Sequence, residues 1–274
     1  RCATCRSSTL SWLQTIVLAI VQGLTEFLPV SSSGHLILVP ALFNWIDQGL
    51  VFDVAVHFGS LAAICVYFRT DLVGLISGGV KLLCGSGQSP ESRMALYIII
   101  GTVPAAIAGL LFAAWIELNL RNPLVIVFTL SGYGVLMALA DRFGKHQRII
   151  ANIELKDAII IGIAQALALV PGTSRSGVTI SAALMLGFRR TDAARFSFLL
   201  SAPVILLATV FKSSLLYVEG TQIAWSQLAI GAAISAVVAY LSINCFMRFV
   251  NAIGLLPFAL YRLGLAGVIF YILL

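Results

Sequence analysis

The feature that most constrains this chain is how rarely a charge interrupts it. Uncharged stretches run from Ser7 to Thr25, Phe27 to Ile46, Met94 to Ile116, Asn122 to Ala140 and Gly220 to Met247. A helix needs about 20 mostly apolar residues to cross the hydrocarbon core of a bilayer. Shorter uncharged stretches, 54–68 and 176–188, read as short spans or re-entrant pieces. Of the 274 residues, 60% are hydrophobic and 10% charged, against about 25% charged in soluble domains. A fold of this size cannot hide that much apolar surface from water, so lipid must be its solvent. Strand-like alternation is absent, which excludes a β-barrel. The chain therefore reads as an all-α polytopic membrane protein, a single membrane domain over 1–274.

The net charge of +6 fits basic cytoplasmic loops. No run of Lys and Arg with interleaved aromatics points to nucleic acid. Three of the five cysteines lie in or beside apolar segments and read as small hydrophobes. Cys2 and Cys5 form a CxxC without a second pair or a histidine partner, so neither metal nor redox chemistry is expected of them. The first eight residues, Arg1–Ser8, read as a leader or an appended segment.

An internal repeat appears when the chain is shifted by 143 residues. Gln22 then falls on Gln165, Leu24 on Leu167, Ser31 on Ser174, Ser33 on Ser176 and Gly34 on Gly177. The matching segments are QGLTEFLPVSSSGH (22–35) and QALALVPGTSRSGV (165–178). Each is apolar and interrupted near its centre by Pro and Gly, which remove or loosen helical hydrogen bonds. Paired interrupted segments in corresponding halves are expected of inverted repeats, with a binding site where the breaks meet. Repeat 1 is placed at about 11–116 with a re-entrant hairpin at 11–46, and repeat 2 at about 154–250 with a hairpin at 158–188. Basic residues in the 69–93 and 141–157 connections, and Arg189, Arg190 and Arg195, are expected on one side, the cytoplasm. That gives about six full spans plus two re-entrant hairpins.

The breaks carry the chemistry. Gln22 and Glu26 share a helix face at i, i+4 spacing, and a carboxylate within a membrane segment is a functional candidate by default. After Pro29, Ser31, Ser32 and Ser33 are expected to cap the next half-helix and turn its amides, with that of Gly34, toward a phosphate. A serine could instead attack phosphorus, with Glu26 or His35 as base. In the second copy Arg175 needs an anion. Its planar fork suits phosphate, although a pair with Glu26 is the alternative when the site is empty. Thr173, Ser174, Ser176 and Gly177 complete that turn and are expected to bind the phosphate as well, with the half-helix amides of this copy facing it as in the first. Glu26 and Gln22 are too few to hold Mg²⁺ alone, so substrate oxygens would finish the shell of such an ion. Asp53 and His57, four apart, are minor candidates.

These segments resemble the undecaprenyl-diphosphate phosphatase family linked to bacitracin resistance. The resemblance rests on Gln22–His35, on Pro171–Gly177, on FSFLLSAP (196–203) and on PFALYR (257–262). It implies hydrolysis of a polyprenyl diphosphate lipid in the bacterial inner membrane, at a site facing the periplasm. It also implies dependence on a divalent cation, Mg²⁺ or Ca²⁺, and leaves a homodimer open. Carried over, Glu26, Ser32, His35 and Arg175 take the catalytic positions, with Ser32 the proposed nucleophile and His35 left open as the alternative attacking group. Some members have glutamate where this chain has Gln22, which leaves Glu26 with more of the charge. A phosphatidic-acid-phosphatase-type site is excluded, because Ser181 stands where its histidine should follow Ser174-Arg175. The rival from another class is an inverted-repeat transporter or flippase for a phosphorylated lipid, which needs the arginine and helix ends but no nucleophile or base.

Overall fold

A computed structural model describes residues 10–85, 89–120, 122–219 and 224–273. Arg1–Ser8, with Cys2 and Cys5, lies outside the described residues. Within them the chain is helical and has no strand. It opens on two short helices, α1 (Trp12–Thr25) and α2 (Ser32–Leu42), followed by α3 (Gly49–Tyr67), α4 (Arg69–Leu83), α5 (Pro90–Leu120) and α6 (Pro123–Phe143). A second short pair, α7 (Leu155–Leu167) and α8 (Arg175–Met185), leads into α9 (Arg190–Glu219), α10 (Trp225–Ile253) and α11 (Leu256–Leu273).

Five helices, α3, α5, α6, α9 and α10, are long and apolar enough to cross a membrane. The expected sixth is α11, whose 18 residues rise about 27 Å. The short pairs fall near the expected hairpins, and shifting α2 by 143 residues lands on α8. Helices of 14, 11, 13 and 11 residues reach only about 16–21 Å, each short of the hydrocarbon depth of about 30 Å. The connection expected across 69–93 contains the 15-residue helix α4 instead. Its Arg69, Asp71 and Lys81 disguise an amphipathic helix whose Val73, Ile76 and Val80 face outward.

Lipid-facing and inner surfaces are sorted the opposite way from a soluble protein. Leu110 and Phe128 are 70% and 74% exposed, whereas Gln22, Asp157 and Arg262 are fully buried. Small residues bring helices into backbone contact where no hydrophobic drive separates helix from lipid. A Cβ at Gly59 of α3 would lie 2.2 Å from the Ala232 carbonyl of α10, and one at Gly162 of α7 would lie 2.6 Å from the Gly101 carbonyl of α5. Ser60 and Ser235 hydrogen-bond across the α3–α10 seam at 3.1 Å. The core joins both halves: Phe27 packs edge-on against Phe198 at 5.5 Å, and Ile180, Leu184, Ile243 and Phe246 surround them.

The basic connections meet at one end. Arg148 bonds Asp157 through both terminal nitrogens at 3.0 and 2.5 Å and lies over the Phe188 ring. The Arg189 amide donates to the Arg148 carbonyl. Arg195 pairs with Asp71 of α4, and Arg190 pairs with Asp141 at 2.6 Å. The loops expected to share a side therefore touch.

Candidate active site

Each hairpin turns through the same local device. Ser31 (φ 74°) and Ser174 (φ 70°) take a left-handed backbone, and each hydroxyl accepts the amide of the glycine three residues on, Gly34 or Gly177. The amides of these glycines are therefore spent on capping. The turns abut: Ser176 Oγ donates to the Leu28 carbonyl at 3.1 Å. Arg262 of α11, fully buried, donates to the Gly172 carbonyl at 2.9 Å and to those of Thr129 and Leu130 at 3.3 Å, with a longer contact to Pro29 O. A buried arginine without a carboxylate is tolerated because carbonyl oxygens accept hydrogen bonds from its N–H groups.

This brings the first residues of α2 and α8, Ser32 and Arg175, onto one carboxylate. Glu26, at the end of α1, is 8% exposed. Its Oε1 accepts from Arg175 Nη2 at 2.7 Å. Its Oε2 accepts from Ser32 Oγ at 2.7 Å and from Gln22 Nε2 at 2.9 Å. The pairing of Glu26 with Arg175 is the alternative the sequence left open. Three buried polar atoms here have no hydrogen-bond partner: Gln22 Oε1, Thr173 Oγ1 and Arg175 Nη1. Such groups are costly to leave unmade, and an acceptor beside two donors suits a ligand carrying both a cation and anionic oxygens.

The remaining expected residues fall close by with other partners. Ser33 is exposed and lies 3.3 Å from Ser31 Oγ, and Ser174 and Ser176 repeat that contact at 3.3 Å. His35 has both ring nitrogens engaged, Nδ1 on the Ser31 carbonyl at 2.8 Å and Nε2 on the Tyr261 hydroxyl at 2.6 Å, with the two rings stacked. Ser32 Oγ is instead bonded to Glu26. His57 of α3, a minor candidate from sequence, places Nε2 3.7 Å from Glu26 Oε2. Tyr261 and Arg262 went unassigned in sequence, their one signal being the PFALYR stretch.

For a divalent cation the residues fit in part. Glu26 offers a carboxylate and Gln22 Oε1 an unsatisfied acceptor, while among the described residues no group of three or more His, Cys, Asp or Glu gathers. That partial set matches Mg²⁺ practice, in which one or two carboxylates and substrate phosphates share the ion.

Known proteins resemble the chain along nearly its whole length. Residues 15–268 match the profile of the family described as bacitracin resistance protein BacA. A protein of Hahella chejuensis named undecaprenyl-diphosphatase is 54% identical over 258 residues, 94% of this chain and 97% of that protein. Another of that name from Teredinibacter turnerae is 50% identical, covering 95% and 98%. Undecaprenyl-diphosphatase 2 of Stutzerimonas stutzeri is 51% identical, covering 94% and 96%. With the match reaching from α1 to α11 and both hairpin turns inside it, the chain belongs to the bacitracin resistance protein BacA family.

Proposed function

We propose that this chain hydrolyses undecaprenyl diphosphate to undecaprenyl phosphate and inorganic phosphate within the membrane. The observation that carries the reading is the 2.7 Å bond from Ser32 Oγ to Glu26 Oε2 beside Arg175. A serine hydroxyl becomes a nucleophile when an adjacent base takes its proton. Ser32 Oγ attacks the terminal phosphorus, its proton passes to Glu26, and the bond to the bridging oxygen breaks. Undecaprenyl phosphate leaves. Water then attacks the phosphoserine phosphorus, Glu26 returns its proton to Ser32 Oγ as that ester bond breaks, and phosphate leaves with the water's protons, restoring both residues. Arg175 turns its unpartnered Nη1 onto the phosphoryl oxygens, where donors fixed in advance stabilise developing charge. Thr173 Oγ1 supplies one more donor. His35, held by Tyr261, lines the same turn.

A divalent cation, Mg²⁺ or Ca²⁺, bound by Glu26 and Gln22 Oε1 would neutralise diphosphate oxygens when present. The hairpins are read as inverted repeats, with the basic end in the cytoplasm of the inner membrane and the site open to the periplasm. Transport of a phosphorylated lipid requires no serine bonded to a base and is not favoured.

The test is phosphate release from a polyprenyl diphosphate by the purified protein in detergent, with and without EDTA. Metal-dependent release that disappears in Glu26→Ala supports the reading. No release with any divalent cation, from folded protein that binds the lipid, overturns it.

A further inference from the structure

His57 is the ring that the hydrolysis leaves unused, although its Nε2 faces the Glu26 carboxylate. Its Nδ1 sits 2.6 Å from the Asp53 carbonyl one turn back. A carbonyl only accepts, so Nδ1 carries the proton and Nε2 presents a lone pair in the neutral ring. That lone pair faces Glu26 Oε2 across 3.7 Å, too far for a hydrogen bond. Oε2 already receives Ser32 Oγ and Gln22 Nε2. Two acceptors thus confront one another with a gap between them. Donors about 2.1 Å from a shared cation and 3.7 Å apart subtend an angle of about 120° there. A histidine that ligates metal through one nitrogen almost always donates its other N–H to a carbonyl or carboxylate, as His57 does. Gln22 Oε1 is buried and unpartnered next to the same oxygen. A half-turn of that amide exchanges its donor for an acceptor. The ring itself is about one-third exposed, which leaves an approach for the ion.

We propose that His57 Nε2 and Glu26 Oε2, with Gln22 Oε1 turned in as third donor, bind a divalent cation, and that the imidazole biases the site toward transition ions such as Mn²⁺ over Ca²⁺. Imidazole suits transition ions, whereas Ca²⁺ takes oxygen ligands. Arg175 keeps Oε1, so cation and guanidinium occupy opposite oxygens of one carboxylate and both face the incoming diphosphate. This assignment deepens the diphosphatase reading and rests on it for the second occupant of the site.

The chain has three histidines, His35, His57 and His146; His35 has both ring nitrogens engaged, and His146 has Nε2 on the Asp141 carbonyl and Nδ1 buried, so a nitrogen signal can be assigned. The untagged, purified chain is titrated with Mn²⁺ in detergent, with and without methylenediphosphonate as a non-hydrolysable diphosphate. Pulsed electron paramagnetic resonance reads ¹⁴N coupling from a bound imidazole. Wild type and His35→Gln should show that coupling and His57→Gln should lack it, with Mn²⁺ affinity lowered at least about tenfold and Ca²⁺ affinity changed less. Wild type without nitrogen coupling, an unchanged Mn²⁺ affinity in His57→Gln, or coupling lost in His35→Gln and kept in His57→Gln overturns the assignment. If His57→Gln fails to fold, the wild-type and His35→Gln spectra decide alone. Phosphate release by wild type, read in parallel, separates the two readings: release without nitrogen coupling removes the His57 site only, and coupling without release removes the diphosphatase.

Discussion

Ser31 and Ser174, 143 residues apart, adopt the same left-handed backbone and cap the same position of the helix that follows. Each therefore fixes where the next residue points, and those next residues are Ser32 and Arg175. The repeat thus places a nucleophile in one half and a cation in the other on a single carboxylate, Glu26. A left-handed φ is uncommon for a side chain with a Cβ and readily taken by glycine. Ser174→Ala loses the cap and keeps the strain. It should cost about 1 kcal/mol or more, and Ser174→Gly only a few tenths, read as the order of thermal unfolding midpoints in detergent. Equal midpoints would refute the capping account.

Ser32 and Arg175 should fail differently. Ser32→Ala removes the attacking oxygen while leaving Arg175 and the turn in place. Turnover should fall by about three orders of magnitude or more, with a non-hydrolysable diphosphate lipid still bound. Arg175→Ala removes charge-assisted hydrogen bonds worth about 1.5–3 kcal/mol each, so binding should weaken by roughly a hundredfold. Binding isotherms beside single-turnover phosphate release separate the two. Normal release by Ser32→Ala would remove it as nucleophile.

The sequence made much of this legible, and for identifiable reasons. Helix-breaking Pro and Gly inside apolar runs mark the hairpins, and polar residues there have few structural uses, so Gln22, Glu26, Ser32 and Arg175 stood out. Helix α4 was hidden because three charges made an amphipathic helix look like a connection. His57 was visible but lacked a partner in sequence, since Glu26 lies on another helix. Tyr261 and Arg262 come from the far end of the chain, 226 residues from His35 in the first case, and no periodicity links them. The expected amide cradle at Gly34 and Gly177 differs too, because the hydroxyls of Ser31 and Ser174 take those N–H groups first.

Arg262 ties both turns to α6 and α11 through backbone carbonyls alone. Arg262→Met keeps much of the volume and leaves the carbonyls of Gly172, Thr129 and Leu130 without those donors. At about 1–3 kcal/mol for each buried group left unmade, the loss should be large enough to lower the unfolding midpoint sharply. Activity should fall with it, since the Pro29 and Gly172 turns lose their common anchor. A variant with wild-type midpoint and lost turnover would mean that Arg262 acts on substrate rather than on the turns.

The seam between α3 and α10 gives the last test, because α3 carries His57 to the site and has little room to move. Gly59 sits one half-turn beyond His57, and a Cβ there would press to 2.2 Å of the Ala232 carbonyl. That neighbour is backbone, so the helices must part. Parting them stretches the Ser235 bond to the Val56 carbonyl, now 2.8 Å, and the Ser60–Ser235 contact. Gly59→Val should therefore destabilise by about 1–3 kcal/mol from overpacking, and it should also draw His57 away from Glu26. By contrast Gly132, on α6, has nothing within 4 Å of an added Cβ, so Gly132→Ala should leave both unfolding and turnover near wild type. Comparing the two variants by thermal unfolding and by phosphate release checks whether backbone contact at this seam, rather than glycine content, holds α3 in register with the site.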